Sequence, residues 1–200
     1  MNSRLLAFCV MLASIPLLAA APVAKIQAML ARPKVLCGRF DQSKQLVGLK
    51  NPVTSHGRFC VVANKGILWR NLYPFPSTLR LTRDEIVQLQ NDRVVMRLEA
   101  KQEPKVQMIN SVLFALMAGD IRQLETLFEV EGTVNSSGWS VALKAREPAL
   151  ARAIGSIALE GDVYVKKVNI SEASGDRTNI VFSAIETGDG AMSSDEAALF

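Results

Sequence analysis

The sequence has few of the side chains that enzymes use for nucleophilic or acid–base catalysis. It contains one histidine and three cysteines in 200 residues, and His56 lies near no serine or cysteine nucleophile motif. The G-x-S-x-G pattern of serine hydrolases is absent. The carboxylate pair Asp84-Glu85 is expected in a turn, and Glu129 and Glu131 are expected on one face of a strand. Neither group needs a catalytic or metal-binding role. We therefore expect no enzymatic activity, no catalytic residue, no cofactor and no metal site.

Clustered basic residues are also missing. The net charge is only +4, and the basic residues are scattered along the chain. Proteins that bind nucleic acid usually present a concentrated basic face, so we expect no nucleic-acid partner. Arg80, Arg93 and Arg97 alternate with apolar residues, which is typical of a solvated sheet face. Beyond residue 18, no apolar run approaches the roughly 20 residues of a membrane-spanning helix.

The N-terminus has the three parts of a secretory signal peptide. Arg4 supplies the positive charge, Leu5–Leu18 is an uncharged apolar run, and Ala19–Ala21 provides small residues for cleavage. The run is shorter than a comfortable membrane span, although an uncleaved anchor is the alternative. We predict a signal peptide over residues 1–21, with its end no later than about residue 24, and a single domain over residues 25–200.

Two cysteines remain after the predicted cleavage, Cys37 and Cys60. Export to an oxidising compartment permits a disulfide between them. If the segments around them form a hairpin centred near Gly48-Leu49, Cys37 lies opposite Cys60 because side chains alternate along paired strands. A disulfide and a pair of buried, unpaired thiols both fit this pattern.

Short β-prone segments separated by turn residues follow one another along most of the chain. Alternating hydrophobicity and turn signals predict these strands: Val35–Leu46, Thr54–Ala63, Ile67–Asn71, Thr78–Thr82, Glu85–Gln90, Arg93–Ala100, Phe128–Asn135, Trp139–Ala145, Val163–Ser171 and Thr178–Glu186. Many short strands at this spacing indicate a curved antiparallel sheet, a sandwich or a barrel.

Helical periodicity interrupts the strands. It predicts helices over Val23–Ala31, over Val106–Met117 and from Pro148 to about Ile157, with a short helix at Ser194–Leu199. The second of these is apolar over much of its circumference. The economical arrangement places the helices on one face of one sheet. We therefore predict a mainly β fold with some α structure: an incomplete antiparallel β-barrel, closed by a helical lid over an apolar cavity.

Three short elements in the first half of the chain occur in a recognisable order. They are Phe40-x-Gln42 on the first strand, Gly57-x-Phe59 on the second and Leu68-Trp69 on the third. Behind an export signal, this order resembles the opening meander of the outer-membrane lipoprotein carrier (LolA) family. The Pro74–Thr78 segment resembles a divergent LolA-like subgroup.

The resemblance implies which residues line the cavity and which close it. The implied wall consists of Phe40, Phe59, Val61, Leu68, Trp69, Leu79 and Leu81. The implied lid helix carries Met108, Ile109, Val112, Leu113, Leu116 and Met117, and the alternative for this helix is an ordinary core helix. Where the family has an arginine that latches the lid, the candidates here are Lys65 and Arg70.

The resemblance also implies a function. A family member would be a periplasmic carrier that binds the acyl chains of lipoproteins, or of a related lipid, and moves them toward the outer membrane. Its partners would be an inner-membrane exporter and an outer-membrane acceptor, and we expect a monomer. The alternative is a non-enzymatic accessory module of a lipid or glycolipid export or biosynthesis system with the same fold. A lipid-modifying enzyme has less support because no nucleophile–base pair is visible.

Overall fold

The computed structural model describes residues 20–99, 101, 111–112, 114–115 and 119–200. Most of them belong to strands. These strands are β1 (Val35–Gln45), β2 (Val53–Val62), β3 (Gly66–Tyr73), β4 (Ser77–Leu81), β5 (Glu85–Gln90), β6 (Arg93–Glu99), β7 (Phe128–Asn135), β8 (Gly138–Ala145), β9 (Ser156–Gly161), β10 (Val165–Ser171) and β11 (Arg177–Thr187). The helices are α1 (Ala20–Met29), α2 (Ile121–Leu124), α3 (Pro148–Ile154) and α4 (Ser194–Ala197). Residues 111–112 and 114–115 are also helical.

All 11 strands form one sheet, in the order β6-β5-β4-β3-β2-β1-β11-β10-β9-β8-β7. Two antiparallel meanders, β1 to β6 and β7 to β11, are joined where β1 pairs with β11. Within the described residues, no ladder connects β6 to β7, so the curved sheet stays open. The predicted fold class, an incomplete antiparallel barrel, is confirmed.

The first hairpin has the register that the sequence predicts. Cys37 lies opposite Cys60, with their Cα atoms 4.1 Å apart, and the two residues form a disulfide. Both side chains are buried. The disulfide therefore ties the two strands together on one face of the sheet, opposite the face that carries Phe40 and Phe59.

One strand was missed, and the helix before it was predicted too long. The sequence predicts a helix that reaches about Ile157, whereas α3 ends at Ile154. Gly155 follows with φ of 70°, a positive value that glycine adopts readily because it has no Cβ atom. Ile157 and Leu159 then alternate toward the core in β9, which pairs with both β8 and β10.

The sheet has two distinct faces. The inner face carries the main hydrophobic core, and its fully buried side chains include Phe40, Phe128 and Leu159. Helix α1 covers part of this face: at Gly132 in β7, a Cβ atom would lie 2.8 Å from Ile26 Cδ1. The missing side chain at this position therefore lets the helix lie directly on the strand.

The C-terminal segment folds back over the outer face. A smaller apolar cluster there, called the outer cluster below, contains Val35, Cys37, Cys60, Val62, Leu68 and Ala191, with Met192, Leu199 and Phe200 packed against it. The segment thus covers the disulfide. The C-terminal residues contact strands that are far away in the sequence, and strand periodicity does not predict such contacts.

Three outer-face arginines on neighbouring strands hold this segment. Arg58 Nε donates to the buried Glu196 Oε1 at 2.9 Å, and Arg58 Nη2 donates to the Ala191 carbonyl. Arg70 Nη1 lies 3.9 Å from Glu196 Oε1. Arg80 Nη1 donates to the Leu199 carbonyl at 2.9 Å, so Arg80 binds the tail instead of lying on a purely solvated face.

Candidate functional site

Four aromatic rings meet on the inner face. Phe40 and Trp69 are stacked, with ring centroids 3.8 Å apart. Phe59 and Phe182 have centroids 4.8 Å apart, and the rings of Trp69 and Phe182 are nearly perpendicular, with centroids 6.1 Å apart. Strands β1, β2, β3 and β11 therefore each contribute one ring to a continuous aromatic surface.

A cavity of about 480 Å³ opens beside these rings. Its described lining comes from the end of α1, the nearby ends of β1, β2 and β11, the turns between strands, and the helical residues around Phe114. The lining residues are Leu30, Ala31, Arg32, Pro33, Leu36, Phe59, Val61, Val62, Ala63, Asn64, Arg83, Ser111, Phe114, Gly119, Asp120, Gln123, Tyr164, Val165, Phe182 and Ile185. The volume falls within the roughly 300–1,000 Å³ of ligand sites in proteins.

The cavity is amphipathic. Phe59 and Phe182 form part of its apolar wall, and both are almost fully buried. The described charged residues in its lining are Arg32, Arg83 and Asp120. A ligand with an apolar chain and a polar end matches this division of the surface.

A buried glutamine fixes the segment that borders the cavity. Gln27 on α1 donates through Nε2 to the Gly119 carbonyl at 3.3 Å. Its Oε1 accepts from the Arg122 backbone N–H at 3.2 Å. The Asp120 side chain caps α2 by accepting from the Gln123 N–H. These bonds join the end of α1 to α2, which places Asp120 and Gln123 at the cavity.

The residues of the implied cavity wall lie in three different places. Phe59 and Val61 line the cavity. Phe40, Trp69, Leu79 and Leu81 belong to the inner-face core or pack against it. Leu68 is elsewhere: it lies in the outer cluster with the disulfide. Adjacent strand residues point to opposite faces, so Leu68 and Trp69 do not share one wall.

Most of the implied lid lies outside the described residues: Met108, Ile109, Leu113, Leu116 and Met117. Val112 is described and is buried in the inner-face core, and Phe114 lines the cavity. The helical character predicted for this segment therefore holds where the structure describes it. Its movement as a lid stays a prediction.

The two latch candidates lie in different surroundings. Lys65 is exposed in the turn between β2 and β3. Arg70 is on the outer face, near Glu196. The inner face carries the described helical residues around Val112, so Arg70 faces away from them.

Sequence reasoning missed several cavity residues. Phe182 and Ile185 come from β11, which was predicted as a strand but not as the neighbour of β1. Leu30 and Pro33 lie where α1 leads into β1, and Tyr164 is in the β9–β10 turn. Hydrophobic alternation identifies the inward side chains of one strand, but it does not show which distant strands share a cavity.

Comparison with known proteins places the chain in a family. The family model for outer membrane lipoprotein carrier protein LolA-like domains matches residues 18–199. The chain belongs to this family. The match covers almost all of the LolA-like chain, including the sheet, the cavity and the C-terminal segment.

One solved structure shows the same fold at low sequence identity. A DUF1329 family protein from Desulfovibrio piger superposes with a TM-score of 0.52 at 10% identity, covering 89% of this chain and 96% of that chain. A LolA superfamily protein from Nitrosomonas europaea has a TM-score of 0.44 at 9% identity, covering 86% of this chain and 94% of that chain. No curated protein matches the LolA-like chain. Among the helices in the described part of the chain, none has the length and hydrophobicity to cross a membrane.

Proposed function

We propose that this LolA-like protein is a periplasmic carrier that holds the acyl chains of a lipoprotein, or of a related lipid, and moves this cargo toward the outer membrane. The observation that supports the proposal is the cavity between the inner face and the helical residues around Phe114. Membership of a family described as lipoprotein carriers adds to that support.

The energetics of an acyl chain in water explain why such a protein needs a cavity. Each methylene group removed from water contributes about 0.8 kcal/mol. Phe59, Val61, Phe182 and Ile185 offer apolar surface to the chain, and none of the four carries a polar group that would need a hydrogen-bond partner. Binding then requires no covalent chemistry, consistent with a non-enzymatic carrier.

Delivery requires two partners. An inner-membrane exporter would load the cargo, and an outer-membrane acceptor would remove it. The signal peptide predicted over residues 1–21 and the domain predicted over residues 25–200 fit export to the periplasm. The disulfide between Cys37 and Cys60 fits the same compartment, since disulfides persist in oxidising environments.

A negative charge in the cavity wall is expected to abolish cargo binding. Phe182→Asp places a carboxylate against Phe59 and among the apolar lining residues, where an acyl chain would leave it unpaired. The expected loss of affinity is at least about 100-fold, because burying an unpaired charge costs several kcal/mol. The measurement is native mass spectrometry and titration with a synthetic diacylglyceryl-cysteine lipopeptide.

Val181→Asp is the matched control. Val181 is the neighbouring residue on the same strand, and 39% of it is exposed. This variant should bind the lipopeptide as the wild type does. Phe182→Leu, which keeps the wall apolar, separates loss of binding from loss of folding. A wild-type protein that takes up neither the lipopeptide nor any acyl lipid would overturn the carrier proposal and favour the accessory module.

A further inference from the structure

We infer that the cargo carries an anionic group, which Arg32 and Arg83 bind at the mouth of the cavity while the acyl chain lies against Phe59 and Phe182. This inference rests on the proposed carrier function and specifies the chemistry of the cargo. The group is a carboxylate or a phosphate on an acyl chain. The observation behind it is that two arginines from distant parts of the chain line the same cavity as Phe59 and Phe182.

The two arginines belong to segments that are far apart in the sequence. Arg32 follows α1, and Arg83 lies in the turn between β4 and β5. Both residues are exposed, so their side chains are accessible to a ligand from the solvent. Such sites suit a headgroup that stays at the surface while its chain enters the protein.

Arg83 has no acidic partner within the described part of the chain. The arginines that form ion pairs there are Arg32, Arg58, Arg70, Arg80 and Arg97. Since Arg83 takes part in none of these pairs, its guanidinium can bind an anionic ligand without first breaking an ion pair with a described residue.

The charge of the lining is positive overall. Asp120 is the one acidic residue among the described lining residues, against two arginines. Its Oδ1 already accepts from the Gln123 N–H at 3.3 Å and lies 3.8 Å from Arg32 Nη2. This ion pair is long and solvent-exposed, and such pairs are weak, so an anionic ligand can compete with Asp120 for Arg32.

Guanidinium chemistry sets the ligand class. The planar fork of arginine donates two parallel hydrogen bonds to a carboxylate or a phosphate. A small free anion would contact the arginines but not Phe59, Phe182 or Ile185, so it would use only part of the cavity lining. An acyl chain that ends in an anionic group satisfies both halves of the cavity.

The experiment compares three probes with the same palmitoyl chain. Palmitate and palmitoyl lysophosphatidic acid carry an anionic group, and monopalmitoylglycerol is neutral. Wild-type protein is expected to bind at least one anionic probe about tenfold more tightly than the neutral one, in keeping with charge-assisted hydrogen bonds. Whichever anion is preferred distinguishes a carboxylate from a phosphate headgroup.

The double variant Arg32→Gln, Arg83→Gln should bind all three probes with equal affinity. Its control is Arg177→Gln, because Arg177 is exposed at the start of β11, whereas the cavity residue Ile185 lies near the end of that strand. This control should keep the anion preference.

Two results overturn the inference. One is equal wild-type affinity for the neutral and anionic probes, and the other is an anion preference that survives in the double variant. In both cases, uptake of monopalmitoylglycerol that Phe182→Asp abolishes would leave the carrier function standing. Failure of every probe to bind wild-type protein would instead count against the carrier itself.

Discussion

Alanine at Gly57 is expected to lower the free energy of unfolding by about 4 kcal/mol. A Cβ atom at this position would lie 1.9 Å from the Arg70 carbonyl oxygen and 2.9 Å from Phe40 Cε1. Neither neighbour moves easily, since the carbonyl belongs to β3 and the Phe40 ring is fully buried against Trp69. Relief of the clash therefore requires β2 and β3 to separate at the irregularity between His56 and Gly57.

Urea unfolding followed by tryptophan fluorescence measures the effect, because Trp69 stacks on the ring that must shift. Gly190→Ala is the control: a Cβ atom there meets nothing within 4 Å. Its expected change is below about 0.5 kcal/mol, as for other surface substitutions. A Gly57→Ala protein as stable as this control would show that the backbone can widen at the bulge without cost.

Methionine at Arg58 is expected to lower the free energy of unfolding by about 3 kcal/mol. Glu196 has only 2% of its surface exposed, and Arg58 supplies its 2.9 Å ion pair. Removing the guanidinium leaves a buried carboxylate whose remaining cationic neighbour, Arg70, is 3.9 Å away. The Ala191 carbonyl also loses its donor. The C-terminal segment should therefore detach first, which limited proteolysis detects as early cleavage after about residue 188.

Arg39→Met is the matched control. Arg39 lies directly opposite Arg58 in the β1–β2 ladder, is exposed, and forms no ion pair among the described residues. Its removal should change stability by less than about 0.5 kcal/mol. The double variant Arg58→Met, Glu196→Met should recover most of the loss, because replacing both partners leaves no buried charge. An Arg58→Met protein that keeps its tail protected would contradict the assigned role.

Local features of the fold could be predicted from the sequence. The β1–β2 hairpin with Cys37 opposite Cys60 follows from alternation and the turn predicted near Gly48-Leu49, and the strand Phe128–Asn135 follows from alternation alone. In each case the residues that decide the structure are close in sequence. The β9 strand was missed because the turn at Gly155 ended the helix before Ile157, and helical and strand patterns overlap in so short an apolar run.

Non-local features could not be predicted. Glu196 and Arg58 are 138 residues apart, and nothing in either local pattern indicates that they pair. The same holds for Phe182, which enters the cavity because β11 lies beside β1. The resemblance to the family thus identified two cavity residues, Phe59 and Val61. Hydrophobic patterning could not show which elements meet around the cavity, or that the arginines of the outer face hold the tail.

The pairing of β1 with β11 affects how this chain folds during synthesis and export. A polypeptide that is synthesised, or threaded through a translocon, from its N-terminus presents β1 well before β11. During that interval β1 has one edge of unpaired backbone groups, and such edges promote aggregation. Pairing between distant segments also forms slowly. The yield of the protein on export should therefore depend on a folding helper that covers a strand edge until Thr187 has emerged.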